Sequence, residues 1–241
     1  MLLAPTLMHA KDFNFQSAED KAQLIELYTS QGCSSCPPAE RKLSKLVNNK
    51  ELWQQIVPIA FHVDYWNYLG WRDIYSSSKS TQRQQLHHAN GNVYNLYTPQ
   101  FVVDGKEWRG FFKGDQFQEP STERSGVLSL NWNFDSERLS MTFNNQSKQQ
   151  PATCLFSLLS FEDAIKIHSG ENRNLTIDQD FSSLAIIRSD IEVKNHHYVC
   201  QADSNEFNKL YLSPNKGQRF AIVGWVSSPD ESHIQATGGW L

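Results

Sequence analysis

The pattern of apolar and polar positions differs between the two halves of this 241-residue chain. In the first half, apolar runs typical of buried strands, at residues 24–29 and 56–63, alternate with predicted helices at about 38–50 and 79–91. Two more strands are predicted at 98–103 and 107–111, on either side of an Asp-Gly turn. This βαβαββ order predicts a sheet whose first two strands are parallel, because a β–α–β crossover returns the chain in the same direction.

In the second half the period changes to two. Residues 127–132 and 139–143 alternate apolar and polar positions around a turn at Asp135 and Ser136, which predicts a β-hairpin. Further strands are predicted at 152–161, 184–188, 197–202, 209–212 and 219–226. Seven short strands with almost no predicted helix favour a β-sandwich.

These patterns predict two domains of different class. An α/β domain is expected over residues 21–119, a polar linker over 120–126 and a β-sandwich-like domain over 127–241. The short segment 114–119 offers only a weak closing helix for the first domain. Residues 1–20 begin with an apolar stretch that ends in a small residue, which is typical of a signal remnant, although an ordinary mobile N-terminus is the alternative.

Composition narrows the possible partners. Lys and Arg number 22 against 26 Asp and Glu, so the net charge is −4, and no basic stretch indicates nucleic-acid binding. The chain contains no apolar run of about 18 residues, so no membrane span is predicted.

Cys33 and Cys36 are the strongest chemical signal, because they lie between a predicted strand and a predicted helix. The unpaired amides and partial positive charge of a helix N-terminus favour thiolate, the attacking species in disulfide exchange. Half of a zinc site and a small structural disulfide are the alternatives. Zinc requires four ligands, and the remaining cysteines, Cys154 and Cys200, are distant along the chain, with only His62 as a nearby addition.

Four segments of the first half resemble the signatures of an uncharacterised bacterial thioredoxin-like family, domain of unknown function 1223. They are residues 26–39 (ELYTSQGCSSCPPA), 61–73 (FHVDYWNYLGWRD), 81–84 (TQRQ) and 97–100 (YTPQ). The resemblance covers about residues 24–112 and then thins to Gly170, Glu171 and Asn172. It implies a thioredoxin-like fold for residues 21–119 and, commonly, export, but no known substrate.

The resemblance also implies roles for individual residues. Cys33 is expected to attack and Cys36 to resolve the mixed disulfide. Pro99 is expected to be cis and to stand opposite the cysteines, where Thr98 and Pro99 would hold the backbone of an extended substrate. A proline that merely opens an edge strand is the alternative.

Other candidate residues carry two interpretations each. His62 and Asp64, at the end of the second strand, are candidates for proton transfer or for ordinary structural bonds. Trp66 belongs to an aromatic segment, residues 64–75, that could bind substrate or cover a sheet edge. Cys154 and Cys200 could form one structural disulfide across the sandwich or remain buried free thiols.

The sequence therefore predicts a thiol–disulfide oxidoreductase, periplasmic or secreted, that acts on a protein or peptide substrate. It needs no organic cofactor, and its electrons pass to or from an unknown redox partner. One alternative is a Cu(I) carrier that uses the two thiolates with His62, because soft ligands suit that ion. Another is a non-catalytic binding module in which Cys33 and Cys36 form a structural bridge.

Overall fold

The computed structural model describes residues 12–213 and 219–241. The first part of the chain contains strands β1 (Asp12–Gln16), β2 (Gln23–Thr29), β3 (Ile56–His62), β4 (Gln100–Val103) and β5 (Lys106–Trp108). It also contains helices α1 (Pro37–Ser44) and α2 (Ser78–Ala89) and 3₁₀ helices at Lys45–Asn48 and Gly110–Lys113.

The second part is built mainly from strands. They are β6 (Gly126–Asn133), β7 (Arg138–Asn145), β8 (Thr153–Phe161), β9 (Asp163–Lys166), β10 (Thr176–Gln179), β11 (Ser182–Asp190), β12 (Glu192–Lys194), β13 (His197–Asp203), β14 (Arg219–Ser227) and β15 (His233–Trp240). Helix α3 (Asn205–Tyr211) follows β13.

The described strands form three sheets, the largest of which contains strands from both halves. Its eight strands have the order β15-β14-β8-β11-β3-β2-β4-β5. Strands β2 and β3 are parallel, as the crossover argument predicts. Strand β11 joins the halves, because it pairs parallel with β3 at Ser182 and Ala60 and antiparallel with β8 along its length. The predicted linker at 120–126 ends at the first residue of β6. The large sheet contains strands from both sides of this segment.

A five-stranded antiparallel sheet, in the order β1-β6-β7-β13-β12, packs on one face of the large sheet. Gly224 of β14 marks the contact, since a Cβ there would lie 2.6 Å from the Met141 sulfur of β7. All nine residues of β8 are buried, because alternate side chains face opposite sides. Phe156 belongs to the core between the sheets, and Leu159 to the core beneath the helices.

Several predicted elements agree with the structure, and others do not. The sequence pattern predicts a strand at 209–212, which is wrong, because helix α3 ends there. Phe207 and Leu210 are three residues apart on one helical face and pack into the core between the two large sheets. The sequence patterns missed β1, β9, β10, β12 and β15.

The two ends of the predicted first domain also differ from expectation. Residues 1–11 lie outside the described residues, whereas the remainder of the supposed signal remnant includes β1, which pairs with β6. Residues 114–119 form no helix. Phe111 and Phe117 instead pack their rings on Phe101 and cover the sheet there, with centroid distances of 5.6 and 5.4 Å.

A buried ionic network connects α2 with strand β2 and with the turn between β14 and β15. The Arg83 guanidinium donates to both carboxylate oxygens of Glu26, at 2.7 and 2.6 Å, and lies 3.4 Å from a carboxylate oxygen of Glu231. Tyr28 donates its hydroxyl to Glu26, and His87 lies 3.2 Å from the same carboxylate. Although burial opposes ionisation, Arg83 and His87 hold the pKa of Glu26 well below its usual range.

Candidate active site

Cys33 and Cys36 form a disulfide at the start of α1. The helix begins at Pro37, and Cys36 is its N-cap residue. Proline suits the first helical turn, because the amide it lacks has no intrahelical partner there. Cys33 is 5% exposed and Cys36 is fully buried, so Cys33 is the more accessible of the two from solvent.

The two serines between the cysteines, Ser34 and Ser35, are exposed and carry no charge that would stabilise a thiolate. The backbone closes a tight turn, in which the Cys36 amide donates to the Cys33 carbonyl at 3.2 Å. The Ser35 hydroxyl lies 3.3 Å from the Cys33 sulfur. Neutral hydroxyls of this kind shift the acidity of a thiol less than a nearby charge does.

Trp66 connects the cysteine turn to the loop that contains Thr98. A Cβ at Gly32 would lie 3.3 Å from the Trp66 carbonyl, so the two segments are in close contact. The Trp66 indole N–H donates to the Thr98 hydroxyl at 2.8 Å. The peptide bond between Thr98 and Pro99 is cis, as expected from the resemblance.

A chain of buried polar side chains supports the base of the turn. The Gln31 backbone N–H donates to an Asp73 carboxylate oxygen at 2.8 Å, and His62 Nδ1 lies 2.7 Å from that oxygen. His62 Nε2 lies 3.3 Å from the Ser182 hydroxyl. Burial alone would lower the pKa of His62, but Asp73 and Glu40 outweigh it, and the pKa is raised.

Ser182, His62 and Asp73 thus have the order of contacts of a hydrolytic triad. The Ser182 side chain is fully buried, however, so its hydroxyl is closed to a substrate. We therefore assign this arrangement a structural role beneath the cysteine turn.

Glu40 is a buried acid four residues after Cys36. Its carboxylate accepts hydrogen bonds from the Thr29 hydroxyl at 2.6 Å and from the Gln179 amide at 2.9 Å. Burial raises the pKa of this carboxyl against the opposing effects of His62 and Thr29. Because residues four apart share a helix face, Glu40 lies on the same side of α1 as Cys36.

Asp64 lies apart from this cluster. Its carboxylate accepts a hydrogen bond of 2.6 Å from the Thr81 hydroxyl, near the start of α2. The Asp64 backbone N–H donates in turn to the Thr81 hydroxyl oxygen. The structure thus pairs His62 with Asp73 and Asp64 with α2. A role of Asp64 in proton transfer stays a prediction.

The aromatic segment lies partly against the site and partly in solvent. Trp71 donates its indole N–H to the Gln31 side chain at 2.9 Å. Tyr65 donates to Gln84 of α2, and burial raises the pKa of its phenol to about 12. Tyr68 stacks on Trp66 and is 77% exposed.

The second half of the chain also reaches the cysteine turn, through the segment between β9 and β10. The Asn172 amide donates to the carbonyls of Gln31 and Cys33, at 2.9 Å each. The Ser34 amide donates to the Glu171 carboxylate at 3.2 Å. Together with Gln179, these residues make the site a product of both halves.

Cys154 and Cys200 form the second disulfide, which was one of the two alternatives from the sequence. Cys154 lies in β8 of the large sheet and Cys200 in β13 of the five-stranded sheet, so the bond links the two packed sheets. Two disulfides in one chain favour an oxidising compartment.

The copper-carrier alternative requires His62 as a ligand beside the cysteines. Both ring nitrogens of His62 instead face Asp73 and Ser182. Within residues 12–213 and 219–241, no group of three or more His, Cys, Asp or Glu side chains is placed to hold a metal ion. Over the same residues, no helix is both long and apolar enough to cross a membrane.

The fold and the site define a mixed α/β protein, mostly of strands, with a C-x-x-C disulfide at a helix start. The family model described as "Protein of unknown function (DUF1223)" matches residues 24–206. The chain belongs to this family.

Two solved structures have a similar overall fold. Protein AGR_C_4864 from Agrobacterium tumefaciens has a TM-score of 0.62 at 20% identity, over 93% of this chain and 95% of that one. HBP35 of Porphyromonas gingivalis has a TM-score of 0.62 at 12% identity, over 93% of this chain and 76% of that one. No curated protein matches the chain.

Sequence reasoning missed several residues of this site. Glu40 is one of them, although its position four residues after Cys36 is a signal that could have marked it. Asp73 ends the second signature segment, and Glu171 and Asn172 lie where the resemblance thins. Nothing in the sequence pattern pointed to Gln179.

Proposed function

We propose that this protein has a thioredoxin-like fold and is a thiol–disulfide oxidoreductase for protein or peptide substrates in the cell envelope. The observation that carries the proposal is the Cys33–Cys36 disulfide at the start of α1, linked through Trp66 to Thr98. The presence of two disulfides supports a periplasmic or secreted location.

The oxidised form can accept two electrons from a substrate dithiol. A substrate thiolate attacks the sulfur of Cys33, the bond between the cysteines breaks, and Cys36 leaves as a thiolate. The second substrate thiolate then attacks the substrate sulfur of the mixed disulfide and releases the Cys33 thiolate. The substrate gains a disulfide, the protein gains a dithiol, and a thiol–disulfide partner resets it. The reverse sequence reduces a substrate.

The two cysteines have different roles because their environments differ. Cys33 is the sulfur that a substrate can reach, while Cys36 is buried at the positive end of α1, which stabilises it as the leaving thiolate. Glu40 is the candidate proton donor for that thiolate, since its raised pKa keeps the carboxyl protonated to a higher pH than usual.

Thr98, Pro99 and Trp66 are the candidate substrate contacts. Thr98 is only partly buried and lies beside the indole that touches the cysteine turn. A substrate strand passing Thr98 would bring its cysteine towards Cys33, and backbone pairing at this edge is tolerant of side-chain sequence.

The first test is the reduction potential of the Cys33–Cys36 pair, measured by glutathione titration with thiol trapping and mass spectrometry. We expect a midpoint between about −270 and −120 mV, the range of exchange catalysts. A midpoint below about −300 mV would identify a structural bridge, and the binding-module alternative would then replace this proposal.

The second test traps the substrate. Cys36→Ser leaves Cys33 without its resolving partner, so mixed disulfides with substrates should accumulate. Cys33→Ser is the matched control and should trap far less, because Cys36 is buried. Equal trapping by the two variants would contradict the assigned roles.

A further inference from the structure

The segment between β9 and β10, residues 167–175, forms a closed loop on top of the cysteine turn. Backbone hydrogen bonds join its two ends, from Ile167 to Leu175 and from Asn174 to Ile167, both at 2.9 Å. The Ser169 hydroxyl donates to the Gly70 carbonyl, which attaches the loop to the aromatic segment. The loop is therefore a preformed part of the site and is supplied by the second half of the chain.

Asn172 is the residue by which this loop holds the turn. Its side chain is buried, with 2% of its surface exposed, and its one amide nitrogen donates to the carbonyls of both Gln31 and Cys33. The amide has two N–H donors, so both are used on the turn. This pair of bonds fixes the backbone on either side of Gly32 and with it the direction of the Cys33 side chain.

Glu171 places a negative charge at the same turn. Its carboxylate accepts the amide of Ser34, the residue next to Cys33. A carboxylate near a thiol disfavours the thiolate, so Glu171 opposes the effect of the helix N-terminus. Destabilising the thiolate of the reduced form shifts the redox equilibrium towards the disulfide.

We propose that the loop 167–175 sets the redox equilibrium of the dithiol in favour of the disulfide, with Asn172 and Glu171 as its positioning residues. This inference rests on the proposed function. Asn172 acts by holding Cys33 in the geometry that closes the ring to Cys36. Glu171 acts through its charge on the Cys33 thiolate.

The test is a glutathione equilibrium, in which two glutathione thiols reduce the Cys33–Cys36 bond and become one glutathione disulfide. For Glu171→Gln we expect the equilibrium constant to move about threefold towards the dithiol, the size of an exposed charge effect. The pKa of the Cys33 thiol should fall, and both changes should shrink at high salt because the charge is screened. Asp178→Asn is the matched control, an exposed charge loss on the same hairpin.

For Asn172→Ala we expect a shift in the same direction without the salt dependence, because an uncharged contact is lost. Thr176→Ala, at an exposed position of β10, is its control. Glu171 is exposed, so Glu171→Gln remains informative even if Asn172→Ala fails to fold. Unshifted equilibria in Glu171→Gln, or equal shifts in the controls, would overturn the inference.

Failure of the inference and failure of the proposed function give different results. If the wild-type pair is too stable for glutathione, the proposed function fails, and a dithiothreitol titration still compares the variants. If the wild-type pair equilibrates normally and the variants match it, only the role of the loop is refuted.

Discussion

Replacing Arg83 by Met should destabilise the protein strongly, because Arg83 neutralises a carboxylate that has almost no access to water. Arg83 is 3% exposed and donates two hydrogen bonds, of 2.6 and 2.7 Å, to the Glu26 carboxylate. Methionine preserves much of the packing of the side chain on Trp225, whose ring centroid lies 4.9 Å from the guanidinium. The change therefore removes mainly the charge and its bonds.

Breaking one side of a buried ion pair costs about 3–5 kcal/mol, because the partner charge is left uncompensated. We expect a loss of this size for Arg83→Met at pH 7. The double variant Glu26→Gln/Arg83→Met should recover about 1–2 kcal/mol of it, since the glutamine carries no charge and can still accept from Tyr28.

The dependence on pH follows from the lowered pKa of Glu26. A lowered folded pKa stabilises the wild type fully above the unfolded value of 4.5, and this stability is lost as the pH falls through the folded pKa. Without Arg83 only His87 remains as a positive partner against burial, so the pKa of Glu26 should rise relative to wild type and the variant should gain stability as the carboxyl is protonated. The difference between wild type and Arg83→Met should therefore be smaller at pH 5 than at pH 7.

Urea unfolding followed by tryptophan fluorescence, at pH 5 and pH 7, measures these differences. Glu206→Gln is a suitable control, because it removes an exposed partner of Lys79 at the same helix and should cost less than about 1 kcal/mol. A loss below about 1 kcal/mol for Arg83→Met, or a double variant no more stable than the single one, would refute the reasoning.

Three further predictions concern the site and the second disulfide. Trp66→Phe removes the hydrogen bond to Thr98 and should slow exchange with a peptide about tenfold, while the glutathione equilibrium stays unchanged; rapid-mixing kinetics test this. Replacing Cys154 and Cys200 by Ala should cost about 2–5 kcal/mol in urea unfolding but leave exchange intact. The raised pKa of Glu40 predicts stability that is full below 4.5 and lost as the pH rises through the folded pKa; urea midpoints from pH 4 to 8 should show this loss in wild type and not in Glu40→Gln.

Sequence patterns predicted the parts of the structure that are set by nearby residues. Strands β2 and β3 lie in mostly apolar runs of the sequence and are buried along their whole length, and the disulfide partners Cys33 and Cys36 adjoin one helix start. The resemblance implied Thr98 as a site residue, whereas Trp66 belonged to an aromatic segment with two open interpretations; the hydrogen bond from the Trp66 indole to the Thr98 hydroxyl joins these two parts of the chain.

The parts that sequence patterns did not predict depend on pairings across long chain separations. Strand β11 touches β3 in parallel at one residue pair, so neither strand carries a local signal of the other. Helix α3 was mistaken for a strand because its apolar residues are few and its packing on Trp132 is a tertiary contact. Gln179 becomes a partner of Glu40 only through the fold, although 139 residues separate them.

The contacts of the site argue that the functional unit includes both halves of the chain. A chain that ended at the predicted linker would keep the cysteines, the cis proline and Trp66. It would lose the Asn172 amide that binds two carbonyls of the turn, and Glu40 would lose the Gln179 donor. The buried His62 would also lose the Ser182 hydroxyl, and its side of the sheet would lose the neighbouring strand β11.

Since buried polar groups left without partners are costly, the isolated first half should hold its disulfide in a different and looser environment. The family match from residue 24 to residue 206 spans all of these contacts, as expected if the second half is part of the same site.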